Sequence, residues 1–213
     1  MSALVLHEYC HILAMKHFGM KVKGFYLIPF VGGIAVSEGK IENRYHQVKV
    51  ALAGPASGVV IVAMLTPFYW VTHNPYLAAI AGWVALFNVI QLIPVMPLDG
   101  GQALLSVAYS YPSKHAQFVV WVEGLTVTLF AAFAFKNTLL AIVAVLATIE
   151  ANAIQREVNG MGPSKRQQVK ALPSSEVYRV LGMYFGLAAV LLGTMYYFSH
   201  EPLAAAALEV LRG

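Results

Sequence analysis

The chain has 213 residues, of which 59% are hydrophobic and 11% charged, with one cysteine and a formal net charge of +4. A soluble domain carries about 25% charged residues to cover its surface, so roughly half of that cover is missing and the surplus apolar surface must face lipid. The basic residues fall in short blocks between apolar runs, not in stripes interleaved with exposed aromatics, which excludes a nucleic-acid partner; the lone Cys10 excludes an internal disulfide.

Residues 2–18 form the first apolar segment, with no basic n-region or cleavage site of a signal peptide, so the segment is expected to stay in the mature protein. It contains His7, Glu8 and His11, polar groups that lipid tolerates only when neighbours shelter them. The six residues before His7 supply only about 9 Å of helix, as if the sequence begins inside a longer first helix. Residues 22–36, rich in Val, Ile, Phe and Tyr around Pro29 and Gly32-Gly33, read as a β-hairpin. Such backbone enters a membrane only where protein or a wet cavity satisfies its polar groups, and its edge can receive another strand.

Four later segments approach the roughly 20 apolar residues of a spanning helix: 50–71, 76–97, 118–135 and 180–198. A shorter one, 138–154, carries Glu150, and Glu123 lies inside 118–135; both acids read as paired or protonated. The expectation is an all-α polytopic membrane protein of about six transmembrane helices, with a membrane-entering β-hairpin after the first. If the loop after the first helix is cytoplasmic, 12 of the 14 Lys and Arg collect on that side, leaving only Lys136 and Arg212 outside. The division expected is 1–111 as a catalytic membrane core, 112–158 as two further helices, 159–175 as a Gly, Pro, Ser and Lys-rich cytoplasmic linker, and 176–213 as a last helix and tail. Residues 202–213 read as a short Ala-rich helix at the far surface.

His7-Glu8-Tyr9-Cys10-His11 is an HExxH pattern. On a helix the two histidines sit one turn and about 40° apart, so both imidazoles reach one metal ion, and Glu8 beside them can take a proton from an activated water. Zinc asks for a third protein ligand and an open position. Asp99, the only aspartate, stands in Pro94-Val95-Met96-Pro97-Leu98-Asp99-Gly100-Gly101; it reads as that ligand or as the N-cap of a short helix over 101–109. Asn88 and Gln91, on nearly one face of the third helix, read either as hydrogen-bond donors to a substrate carbonyl or as interhelical glue.

HExxH followed by Pro94-x-x-Pro97-Leu98-Asp99-Gly100 resembles the site-2 protease family of intramembrane metalloproteases. Ala53-Gly54-Pro55 and Phe30-Val31-Gly32-Gly33 fit the same pattern, and the matching stretches run from Ser2 to about Tyr111. The resemblance implies a zinc-dependent endopeptidase that cuts a membrane-protein substrate in or near its transmembrane segment. One Zn2+ would be held by His7, His11 and Asp99, with Glu8 as catalytic base. The hairpin at Gly32-Gly33 and the amides of Asn88 or Gln91 would bind substrate, and a further membrane protein would regulate the enzyme. The family's Asn, eight residues before the Asp, is Gln91 here. The compact form without a PDZ domain is similar to the sporulation-type branch, in a prokaryotic cell membrane with the active site toward the cytoplasm. Two rivals stay open: a membrane peptidase resembling the prenyl-protein type, with Glu150 as third ligand, and a non-catalytic metal-binding scaffold or transporter. The scaffold does not account for a glutamate between the ligands.

Overall fold

A computed structural model describes residues 2–28, 32–38, 43–94, 98–108 and 172–212. The expected helices over 118–135 and 138–154, the linker as far as residue 171, and with them Glu123 and Glu150, lie outside the described residues.

The described chain is mostly helical: α1 (Ser2–His17), β1 (Lys21–Ile28), β2 (Gly32–Glu38), α2 (Arg44–Thr72), α3 (Pro75–Gln91), α4 (Asp99–Ala108), α5 (Ser174–Tyr197), a single 3-10 turn (Phe198–His200) and α6 (Pro202–Arg212). The strands pair antiparallel from Lys21 opposite Glu38 to Ile28 opposite Gly32, with an irregularity between Val22 and Gly24, and both run beside α1. Gly19 ends α1 with φ of 70°, a left-handed turn in which Met20 N–H reaches back to the Met15 carbonyl at 2.9 Å; glycine adopts this without a Cβ penalty.

Among the described residues two helical stretches, Arg44–Thr72 and Ser174–His200, are long and apolar enough to cross a bilayer, while α3 is apolar but only 17 residues long. The third helix was expected over 76–97 and instead ends at Gln91. The physical reason is Pro94: it offers no N–H to a helical carbonyl and disfavours helical backbone at Ile93, so Leu92 closes the helix. At its other end Asn74 caps α3, accepting from Tyr76 N–H at 3.0 Å, and Pro75 fills the first helical position.

The described chain divides into two compact units, one of 1–39, 52–92 and 181–213, the other of 40–51 and 93–180. In the first, α6 packs along α3 through small residues: a Cβ on Gly82 would stand 3.4 Å from that of Ala204, and Ala78, Ala81, Ala85 and Ala207 are fully buried. The tail, expected over 202–213 as a short helix at the far surface, is over Pro202–Arg212 a helix with a buried face. Tyr69 of α2 joins the same region, donating to Glu201 at 2.6 Å and meeting the Phe198 ring edge-on at 5.0 Å. In α5, Tyr184 donates to the carbonyl of Leu92 at the end of α3. The second unit holds α4, with Ala103 and Ser106 buried, and the opening turns of α2, where Arg44 donates to Gln47 at 3.0 Å and the Lys49 ammonium lies 4.2 Å from the Tyr45 ring centre.

Candidate metal centre

Helix α1 is arranged opposite to a helix of a soluble protein. His7, Glu8, His11 and Met15 are its buried residues, while Val5, Leu6, Tyr9 and Leu13 are exposed. A polar stripe turned inward and an apolar one turned outward is the pattern of a helix whose surroundings are hydrocarbon. The spacing of seven, eight, eleven and fifteen puts these four on one face, so burial of the stripe delivers all three chemically active groups to one place.

His7 has no exposed surface, and Glu8 and His11 are 2% and 6% exposed. One ligand-capable atom from each lies within 4.8 Å of the others, and among the described residues this is the one cluster of three or more such groups. The imidazoles meet edge-on with ring centres 4.8 Å apart, and their Nε2 atoms are 3.1 Å apart. Two nitrogens at about 2.0–2.1 Å from one tetrahedral zinc stand about 3.3 Å apart, so the pair already has the separation of a shared ion. Two imidazoles at this separation suit zinc, with the Glu8 carboxylate beside them not required as a ligand, and the residues present therefore fit the metal.

What surrounds the pair comes from α2 and α3. The Phe87 ring meets His7 edge-on at 5.2 Å. Gly54 faces both imidazoles so closely that a side chain there would collide with them, and Gly58, one turn on, faces Asn88 in the same way. Sequence reasoning placed Gly54 in the Ala53-Gly54-Pro55 stretch but gave it no task, and passed over Gly58. The signal was the Gly54-x-x-x-Gly58 spacing, which lets helices approach closely.

The remaining expected site residues divide as follows. Asn88 is 1% exposed, its Oδ1 2.9 Å from His7 Nδ1 and its Nδ2 donating to the Val84 carbonyl at 2.8 Å. Gln91 lies one turn further along α3, 7% exposed. Asp99 opens α4 in the second unit, 7% exposed, with the Leu98 carbonyl accepting from Gln102 N–H at 3.0 Å. Gly32 and Gly33 begin β2, opposite Ile28 and Leu27.

No protein-family model matches the chain. It is similar to a zinc metalloprotease of Methanocaldococcus jannaschii, 30% identical over 119 residues that cover 51% of this chain and 34% of that protein. It is 34% identical over 113 residues to a Synechocystis protein named as a candidate zinc metalloprotease, covering 51% of this chain and 30% of the relative. It is 25% identical over 103 residues to the stage IV sporulation protein FB of Bacillus subtilis, covering 47% and 36%. The resemblance drawn from the HExxH and Pro-Leu-Asp-Gly motifs is thus matched by relatives named for zinc-dependent proteolysis and for sporulation. The chain spans about a third of the length of these relatives.

Proposed function

We propose that the chain is the catalytic part of an intramembrane zinc metalloprotease that hydrolyses a peptide bond in or near a transmembrane segment of a membrane-protein substrate. The observation that carries this reading is the 3.1 Å separation of the His7 and His11 Nε2 atoms with Glu8 buried beside them on an inward polar face. His7 and His11 would hold one Zn2+, with Asp99 as the third ligand that the Pro-Leu-Asp-Gly motif implies. Bound there, the ion would supply polarisation of the scissile carbonyl and activation of a water. Glu8 would take a proton from the attacking water and deliver it to the departing amide nitrogen. The apolar outer face of α1 and the burial of all three groups keep bulk water away, which strengthens every charge interaction at the site.

A transmembrane helix must unwind before a protease can reach its backbone, and β2, opening at Gly32-Gly33, offers an edge that pairs with the extended segment by strand addition. The Gln91 amide supplies a donor to the substrate carbonyl. Six membrane segments, the hairpin's entry into the membrane, an active site on the cytoplasmic side of a prokaryotic cell membrane and control by a second membrane protein complete the reading. Its support is the bias of Lys and Arg along the sequence and the two described helices of spanning length.

The test uses the purified chain and its Glu8→Gln variant in liposomes with a tagged transmembrane substrate, with metal counted by mass spectrometry. About one zinc in both and cleavage by the wild type alone is the expected result. Zinc in both with no cleavage of any substrate would favour a metal-binding scaffold, and absence of zinc would remove the site.

A further inference from the structure

A neutral imidazole carries its proton on one nitrogen, and the partner of one nitrogen decides whether the other is free to bind a metal. For His7 the partner is Asn88, and the amide's orientation is settled by its second bond. Asn88 Nδ2 donates to the Val84 carbonyl, one turn back on α3, at 2.8 Å, which leaves Oδ1 facing His7 Nδ1 at 2.9 Å. Turned the other way, the amide would set oxygen against the Val84 carbonyl oxygen and N–H against the ring. Oδ1 therefore accepts, Nδ1–H donates, and the lone pair lies on Nε2, the atom 3.1 Å from His11 Nε2.

The same amide is closed off from anything else. Asn88 is 1% exposed, and a Cβ on Gly58 of α2 would stand 2.3 Å from its Nδ2, so the glycine backbone of α2 covers it. A substrate carbonyl has no approach to it. The sequence offered Asn88 and Gln91 as equivalent amides for that task; the geometry separates them.

We propose that Asn88 is a positioning residue for the metal: its Oδ1 fixes the tautomer and ring angle of His7 so that Nε2 is presented as a ligand before the ion arrives. This rests on the zinc reading above. Partners of a ligating histidine's second nitrogen typically change metal affinity by about 10–100-fold when removed. Here the loss would come from a buried Nδ1–H left without an acceptor, or from a proton moved to Nε2 that the metal must displace.

Two substitutions with the same branching and number of side-chain heavy atoms separate acceptor from shape. Asn88→Leu fills the space with no acceptor. Asn88→Asp keeps an oxygen in the place of Oδ1 to accept from His7 Nδ1. Zinc affinity of the full chain in detergent is measured by chelator competition, and the visible spectrum of the cobalt-substituted protein reports the ligand geometry. The expected result is a roughly 10–100-fold weaker affinity and an altered cobalt spectrum for Asn88→Leu, with Asn88→Asp within about threefold of wild type and spectrally unchanged. Wild-type affinity in Asn88→Leu overturns the proposal, as does equal weakening in both variants, which would mean packing alone matters. If Asn88→Leu fails to fold, Asn88→Asp decides: retention supports the acceptor role and a tenfold loss overturns it. A wild-type chain that binds neither zinc nor cobalt would instead sink the metal reading itself, a distinct outcome.

Discussion

Gly54 of α2 and His11 of α1 approach so closely that a Cβ on Gly54 would stand 2.4 Å from His11 Nε2, and the same 2.4 Å from His7 Nε2. A side chain there would collide with both nitrogens, and it would take the space that an ion shared by the two imidazoles needs. Gly54→Ala should therefore expel the metal or turn an imidazole away. Alanine in a helix gains about 1 kcal/mol over glycine, while overpacking costs roughly 1–3 kcal/mol, so the metal-free protein should fold with only slightly lower stability. Zinc content per chain, with helix content by circular dichroism as control, checks this. An alanine variant that retains zinc at the wild-type level would contradict the placement.

Metal removal should loosen α1 specifically. Two imidazoles and Glu8 face inward, and a bound ion stabilises the folded state by about 2.7 kcal/mol at a concentration a hundred times its Kd. Thermal unfolding in detergent at one fixed scan rate, with zinc and then with excess chelator, should show a lower midpoint without metal. Hydrogen exchange should rise in α1 before it rises in α5. A uniform change over both helices would argue that the ion does not sit on α1.

Tyr184→Phe tests the join between α5 and α3. The Leu92 carbonyl stands at the end of α3, where Pro94 prevents the helix from continuing, and the Tyr184 hydroxyl satisfies it. Removing the hydroxyl leaves a buried acceptor unpaired, at a cost of about 1–3 kcal/mol. The expected signs are a lower unfolding midpoint and faster exchange at the Leu92 amide, which donates to the Asn88 and Val89 carbonyls at 3.1 Å each. Unchanged exchange there would show that α3 ends stably without α5.

Tyr69→Phe should weaken the protein without touching the metal. The ring stays against Phe198, while the 2.6 Å bond to Glu201 and the longer 3.4 Å contact with His200 Nε2 are lost. Because Glu201 is partly exposed, a destabilisation of about 1 kcal/mol is expected, at the low end for a bond to a charged group. Zinc affinity should stay at the wild-type value, and a change in it would mean that the region around α6 reaches the site.

The sequence makes the chemistry of α1 legible because HExxH places its three active groups by local helical spacing alone. The long apolar runs that became α2 and α5 are equally local signals. What it does not reveal depends on partners far along the chain. Asn88 looked like one of two interchangeable amides, since its partner His7 lies 81 positions away. Gly54 and Gly58 carry no chemistry of their own, and only the helices laid against them show why a side chain is excluded. The Ala-rich tail hid its packing role because small residues give a weak hydrophobic pattern, yet they are what allows α6 to lie against Gly82 of α3. The end of α3 was overestimated because its apolar run continues past the point where Pro94 stops the helix.

The joint between Tyr184 and Leu92 spans 92 positions, that between Tyr69 and Glu201 spans 132, and the one that sets the His7 ring spans 81. Closures of this length differ little in entropy, since doubling a loop adds only about 0.6 kcal/mol, but each must wait until its later half has been made. The first helix emerges from synthesis bearing its histidines long before the residues that brace α3 exist. A growing chain thus holds the HExxH sequence before α3 is braced, and α1 acquires its finished surroundings only through segments made later.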